Sequence, residues 1–377
     1  MVQAPIKHLG LYVHTPFCLS KCRYCDFASW SNKRELESPY IKTLLKEIKY
    51  RSDEANSPAD SVFFGGGTPS LLPIESLEAI LSALDKAFTL SKDTEISIEA
   101  NPGTVSLDYL KALKALGFNR ISFGVQAMQS HLLKILGRIH SAHDAVLSLV
   151  QAYKAGFDNI NADLMFGIPT QSLKDVKESI ETLSALPISH LSCYGLIVED
   201  GTPIKKDIDK GLLHLPDTEY ERQMYYEAKE MLHKKGIMQY EVSNFAYKGK
   251  ECRHNLGTWH RELYLGFGSS SASLIRPNLR RSNPPNIEDY IAGKSPEFTE
   301  ISESDQMFEY IMLGLRLVKG IDIRDFNMRF NRDFIKTYGE KLKPSINKRL
   351  IHMDNTHVRL TEKGFDLMNS VLLDIME

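Results

Sequence analysis

The chain has 377 residues, 42% apolar and 25% charged, enough for one large domain and a smaller one, each with its own core. Lysine plus arginine total 46 against 48 for aspartate plus glutamate, so the net charge of −2 gives no electrostatic footing for nucleic acid, and no DNA or RNA partner is expected. No run approaches about 18 uninterrupted apolar residues, and the opening MVQAPIKHLGLYVHTPF has no long apolar core behind a basic start. The expectation is a cytoplasmic protein without a transmembrane segment.

From Leu9 to about Gln239, short β-rich runs alternate with longer helical patterns. The runs are LGLYVH, SVFFGGG, EISIEA, RISFGV, NINADLMFG and HLSCYGL, most of them closed by glycine or led into a turn by proline. Helices are expected between them, one from Pro39 to Tyr50 entered through Ser38, and another in LDYLKALKALG that stops at Gly117. Six β-then-α units in series predict a parallel sheet, because parallel neighbours need a crossover. Six is short of eight, so the fold class expected over residues 1–240 is α/β, a partial (β/α)6 barrel with functional residues at the carboxyl edge of its strands. An open doubly wound sheet is the alternative.

After Tyr240 the pattern breaks into EVSNFA, a loop with Cys252 and His254, the run LGFGSSSAS, and RPNLRRSNPP. Residues 241–300 therefore read as an irregular lid or linker. Helical periodicity resumes in QMFEYIMLGLRLVKG, and the alternation HVRLTEKG precedes a last helix, so residues 301–377 predict a small, mainly helical, winged-helix-like domain.

Three of the five cysteines, Cys18, Cys22 and Cys25, fall within eight positions directly after the first strand. Five cysteines are too few for a disulfide scaffold, and clustering of this kind reads as metal binding. Three thiolates on an iron–sulfur cubane leave one iron open to a small molecule. Zinc is the alternative, but it usually takes a fourth ligand at paired spacing; Cys193 and Cys252 stand alone, and only His14 is near. Tyr24 and Phe27 are expected to shield the metal group from solvent.

Candidate ligand-binding residues lie at the ends of the later strands. Gly65, Gly66, Gly67 and Thr68 end the second, where positions without side chains let backbone approach a ligand. Glu99 ends the third, placed to accept bonds from ribose hydroxyls. Gln126 and Arg138 follow the fourth, an amide for a ribose and a guanidinium for a carboxylate. Asp163 interrupts an apolar run and is costly to bury without a partner. Tyr12 and Tyr194 either line the cleft or pack in the core.

The C-x-x-x-C-x-x-C loop, with an aromatic before its last cysteine, resembles the radical S-adenosylmethionine (SAM) superfamily. That resemblance implies a 4Fe–4S cluster held by Cys18, Cys22 and Cys25, with SAM chelated to the open iron and cleaved by one electron to a 5′-deoxyadenosyl radical. The segments LYVHTPFC, FFGGGTPS, IEANPGT, RISFGVQ, GRIHSA, NADLMFGIPTQ, YEVSNFA and RLTEKG resemble the oxygen-independent coproporphyrinogen III oxidase group. By position this implies cofactor contacts at Tyr12, Tyr24, Gly66, Gly67, Thr68, Glu99, Gln126, Arg138 and Asp163.

Two departures separate the chain from the oxidase. Phe27 stands where that enzyme has a fourth cysteine, and the segment ahead of the cluster loop is short. Both are similar to the HemW-type heme chaperone branch, which implies heme as ligand, a heme-accepting protein and an electron donor as partners, and no residue with a catalytic role. His254, in Cys252-Arg253-His254-Asn255 with Trp259 following, is the candidate heme contact. Thr258 replaces a tyrosine of that branch's motif, and Ala272 stands where a histidine often follows the glycine-rich stretch. The competing function is that of the oxidase, which abstracts hydrogen from propionate side chains of coproporphyrinogen in porphyrin biosynthesis.

Overall fold

The computed structural model describes residues 8–55 and 57–376; the short leader falls almost wholly outside them. Six parallel strands, β1 (Leu9–Thr15), β2 (Ala59–Gly66), β3 (Leu90–Ala100), β4 (Arg120–Gln126), β5 (Ile160–Phe166) and β6 (His190–Gly195), lie side by side in chain order. A doubly wound sheet reverses its strand order part-way; this one does not, so right-handed crossovers carry every connecting helix to the same face.

Strand alternation sorts the side chains accordingly. Leu9, Leu11 and Val13 of β1, Val62 and Phe64 of β2, and Ile96 and Ile98 of β3 join the apolar core with Leu44, Ile48, Leu77, Leu84 and Leu113 of the helices. The other face presents Tyr12, Phe63, Glu99, Ser122, Asp163 and Ser192, and this polar lining becomes an interior because the sheet curves round it. Three of the connecting helices begin where a side chain satisfies their first amides. Ser141 with Asp144 and Ser172 with Asp175 form capping boxes, and Ser106 accepts from Tyr109 N. The first helix runs Glu37–Tyr50, two residues earlier than expected, which puts Pro39 third in it, where a missing N–H costs nothing.

Residues 241–300 are not the irregular lid the sequence suggests. They extend the sheet at both edges. On one side β8 (Asn244–Ala246) pairs antiparallel with β6 and is itself flanked by antiparallel β7 (Met238–Gln239), which just precedes this segment; on the other β9 (Leu263–Phe267) pairs parallel with β1, followed by antiparallel β10 (Ala272–Arg276), β11 (Leu279–Ser282) and β12 (Glu297–Glu300). A buried ion-pair knot fixes that second edge: Arg51 bonds Glu47 at 3.0 Å and Ser273 Oγ at 3.0 Å, and Asn283 bonds Glu47 at 2.8 Å.

Beyond Glu300, helices Glu303–Gly314, Ile323–Phe330 and Phe334–Asn347 pack with a three-stranded sheet (Ile321–Asp322, Ile351–Met353, His357–Leu360) on a separate core centred on Phe326, Phe334, Leu342 and Val371. Ion pairs such as Arg261–Glu309 (2.9 Å) and Lys229–Glu362 (2.6 Å) hold this region to the barrel. Among the described residues no helix is long and apolar enough to cross a membrane.

Candidate cluster and cofactor site

β1 ends in Thr15 and Pro16, and the chain leaves the sheet as a loop whose base is pinned: Cys18 N donates to Trp30 O at 3.0 Å and Trp30 N to Pro16 O at 2.8 Å. Its middle is tied to neighbouring loops, with Arg23 N on Leu136 O (3.0 Å), Ile204 N on Arg23 O (3.0 Å), and an Arg23–Asp207 ion pair. His14 Nε2 donates to Ala28 O at 2.9 Å, so Nδ1 is the acceptor for the Tyr12 hydroxyl at 3.1 Å. Both nitrogens of His14 are thus engaged, one by the loop and one by Tyr12 of β1, so it offers the thiols no free nitrogen. Cys193 packs in the apolar core and Cys252 lies against Glu95. Among the described residues no three ligating side chains close on one point as a single ion requires; three thiols on an open loop suit a larger group.

The loop faces a cavity of about 380 Å3 at the carboxyl edge of the strands, bordered by Cys18, Cys22 and Cys25 and, among the expected residues, Tyr24, Gly66, Gly67, Thr68, Glu99, Gln126, Arg138, Asp163 and Tyr194. Two glycines are there by necessity. At Gly66 (φ +110°) a Cβ would meet the His14 ring at 2.6 Å, and at Gly67 it would meet Phe17 O at 2.6 Å, so backbone amides and cluster loop approach as closely as they do only without side chains.

A chain of hydrogen bonds joins two of the thiols through residues that follow β2, β3 and the helix Ser130–Leu136. Thr68 Oγ1 points at Cys18 Sγ (3.9 Å), Asn101 Nδ2 donates to Thr68 Oγ1 (2.8 Å), and Arg138 bonds both Asn101 Oδ1 and Cys22 Sγ, the latter at 3.2 Å. Arg138, expected as a carboxylate fork, therefore also bonds a cysteine sulfur, and its Nε is buried with no acceptor. Asn101 was not singled out by the sequence; it sits in an Asn-Pro turn that reads as punctuation.

Glu99 accepts from Gly66 N at 3.2 Å. Burial, reinforced by Asp163, pushes its carboxyl up to about 8. Asp163 is also raised, by burial, while accepting from Asn161 Nδ2 at 2.7 Å. Gln126 takes a left-handed backbone conformation (φ +68°) at an irregularity in the β4–β5 register, and its Oε1 accepts from the Tyr194 hydroxyl at 3.0 Å.

Other expected residues fall elsewhere. Tyr12 does not line the cavity; it stands behind Phe63, ring centroids 6.4 Å apart, with its hydroxyl on His14. Tyr24 borders the cavity but also packs against the small apolar cluster that contains Leu132, Leu133 and Met165, whereas Phe27, expected to shield the metal group, is 64% exposed at the mouth. His254 is in the short helix Arg253–Trp259 beneath the cavity. Its Nδ1 is 3.0 Å from Ser61 Oγ, its ring stacks on Phe63 at 5.2 Å, and burial pushes its pKa down to about 3, so the imidazole is neutral. It does not line the cavity; its neighbour Asn255 does. Ala272 is in β10, also outside the cavity.

Residues 12–183 match the radical SAM superfamily and residues 301–367 the HemN C-terminal domain. Over 96% of its length the chain is 37% identical to the heme chaperone HemW of Bacillus subtilis, covering 97% of that protein. The chain belongs to the HemW family. It is also 35% identical to the heme chaperone HemW of Lactococcus lactis (97% of this chain, 96% of that protein) and 31% identical to that of Mycobacterium tuberculosis (85% and 84%). The fold is that of coproporphyrinogen III oxidase (HemN) from Escherichia coli, with TM-score 0.84 and 22% identity over 99% of this chain and 91% of that one. Membership of a radical SAM family implies an iron–sulfur cluster and SAM, and the open thiol loop, the side-chain-free cradle at Gly66–Gly67 and the unmatched Nε of Arg138 are features such groups fit.

Proposed function

We propose that this protein binds heme and passes it to acceptor proteins, carrying a 4Fe–4S cluster and SAM in its barrel. The observation that carries the reading is whole-length similarity, at 31–37% identity, to several proteins named heme chaperone HemW. Cys18, Cys22 and Cys25 would hold the cluster, Arg138 would neutralise charge at Cys22, and the amides of Gly66 and Gly67 would face the cofactor. Glu99 and Asp163 would take its hydroxyls, and Gln126, held by Tyr194, would position it. When bound and reduced, the cluster supplies one electron to the sulfonium of SAM.

Phe27 supports the chaperone over the oxidase. It leaves the loop with three thiols and puts an exposed aromatic at the cavity mouth, a surface for a flat apolar macrocycle. His254 meets such a ligand only if the helix Arg253–Trp259 shifts, since its ring is packed on Phe63 and away from the cavity. Hemin titration of the reconstituted protein, followed by mixing with an apo heme protein, tests the reading. Saturable binding with a defined Soret band and onward transfer are expected; absence of saturable binding refutes it.

A further inference from the structure

Past the residues that the cluster and cofactor account for, the cavity runs inward to Arg120, Asn244 and Asn255. Arg120 opens β4 and faces the interior, paired with Ser97 of β3. It is 2% exposed, and among the described residues its guanidinium has no hydrogen bond and no ion pair, with Nε buried and unmatched. A guanidinium stays charged and carries five donors, so burying one without an acceptor is costly and calls for an explanation.

The nearby carboxylates Glu95 and Asp163 favour its charge through space, but neither of them hydrogen-bonds it. Glu95 is taken up by Arg253 N (3.0 Å), His254 N (3.2 Å) and the Cys252 thiol (3.6 Å). Asp163 faces Asn161 and Ser122, and Glu99 faces Gly66. Asn244, 8% exposed, gives its side-chain amide to Glu241 and leaves Oδ1, an acceptor, unmatched. The side chain of Asn255 makes no hydrogen bond among the described residues.

We propose that Arg120, with the side-chain amide of Asn255, is a receptor for a carboxylate carried by the ligand that shares the barrel with the cofactor. This rests on the heme reading above and deepens it: the carboxylate is a propionate of the tetrapyrrole. The carboxylate of SAM is the other source of the same chemistry, but the guanidinium beside the cluster loop is Arg138. Arg138 bonds Gly124 O, four residues up β4 from Arg120, about 13 Å of extended strand.

The test uses the full chain with its cluster reconstituted and SAM present. Metal-free coproporphyrin III and its methyl ester are titrated by porphyrin fluorescence, with hemin titrated in parallel. Wild type binds the free acid about ten- to a hundredfold more tightly than the ester, the value of a charge-assisted hydrogen bond. Arg120→Gln brings that ratio close to one and leaves SAM affinity unchanged, while Arg120→Lys keeps part of the preference. Equal binding of acid and ester by wild type, or binding of neither, overturns the receptor without recourse to any variant. Loss of SAM affinity in Arg120→Gln reassigns the site to the cofactor and overturns it too. Saturable hemin binding with no acid preference sinks the receptor and spares the heme reading; acid preference without hemin binding sinks the heme reading and spares the receptor.

Discussion

Replacing Glu99 by glutamine converts a buried ionisable group into a neutral one of the same shape, and its effect follows from the pH at which Glu99 titrates. Burial, then Asp163, raises the folded-state value from 4.5 to about 8. Between those two values the native chain holds a proton that the unfolded chain has released, so stability falls as pH rises through that window. Each tenfold change in proton affinity is worth about 1.4 kcal/mol, which sets a ceiling of roughly 5 kcal/mol above pH 8; the carboxyl borders an open cavity, and solvent screening brings the expected value to about 2 kcal/mol. Glu99→Gln should match wild type near pH 5 and exceed it by about that amount at pH 9, in denaturant unfolding of cluster-free protein monitored within the barrel. Because Asp163 is coupled to Glu99, part of the gain arises from relief of Asp163. The same proton governs binding: wild-type affinity for SAM should rise with pH through about 8, as the acceptor ionises, and the variant should bind weakly at every pH. Parallel stability profiles for the two proteins, or a variant less stable at pH 9, would refute the reasoning.

Cys22→Ala should abolish the charge-transfer absorption of the reconstituted protein and lower its bound iron, whereas unchanged iron content would remove the loop from the metal site. Gly66→Ala forces a methyl onto the His14 ring in a left-handed backbone conformation and should destabilise the barrel by about 2 kcal/mol or more, with impaired cluster incorporation; an unchanged melting temperature contradicts the cradle.

The six central strands are legible because each has an apolar face and most carry a turn signal at the end, and three of the helices between them carry their own side-chain caps. What the sequence hides is curvature. Ser97, Arg120, Ser122, Asn161 and Ser192 alternate with apolar residues as the solvent face of an ordinary strand would, and only the bending of the sheet turns that face into a cavity wall. Arg120 therefore reads as a strand-end charge until the fold buries it. The edge strands β8 to β12 are hard to read because each is only three to five residues long, and β8, β9 and the bonds of Arg51 and Glu47 to Ser273 and Asn283 depend on contacts distant in sequence. Of the residues that the family resemblance implies as contacts, those at the strand ends border the cavity, while Tyr12 stands one layer behind it and the helix of His254 lies beneath it.

The most direct test of the account is anaerobic. The cluster is reconstituted, and the protein is incubated with SAM, a reductant and coproporphyrinogen III while decarboxylated product is followed by mass spectrometry, with hemin binding measured on the same preparation. The account predicts hemin bound and no decarboxylated porphyrin; product accumulating over many turnovers would contradict it and make the protein an oxidase despite Phe27.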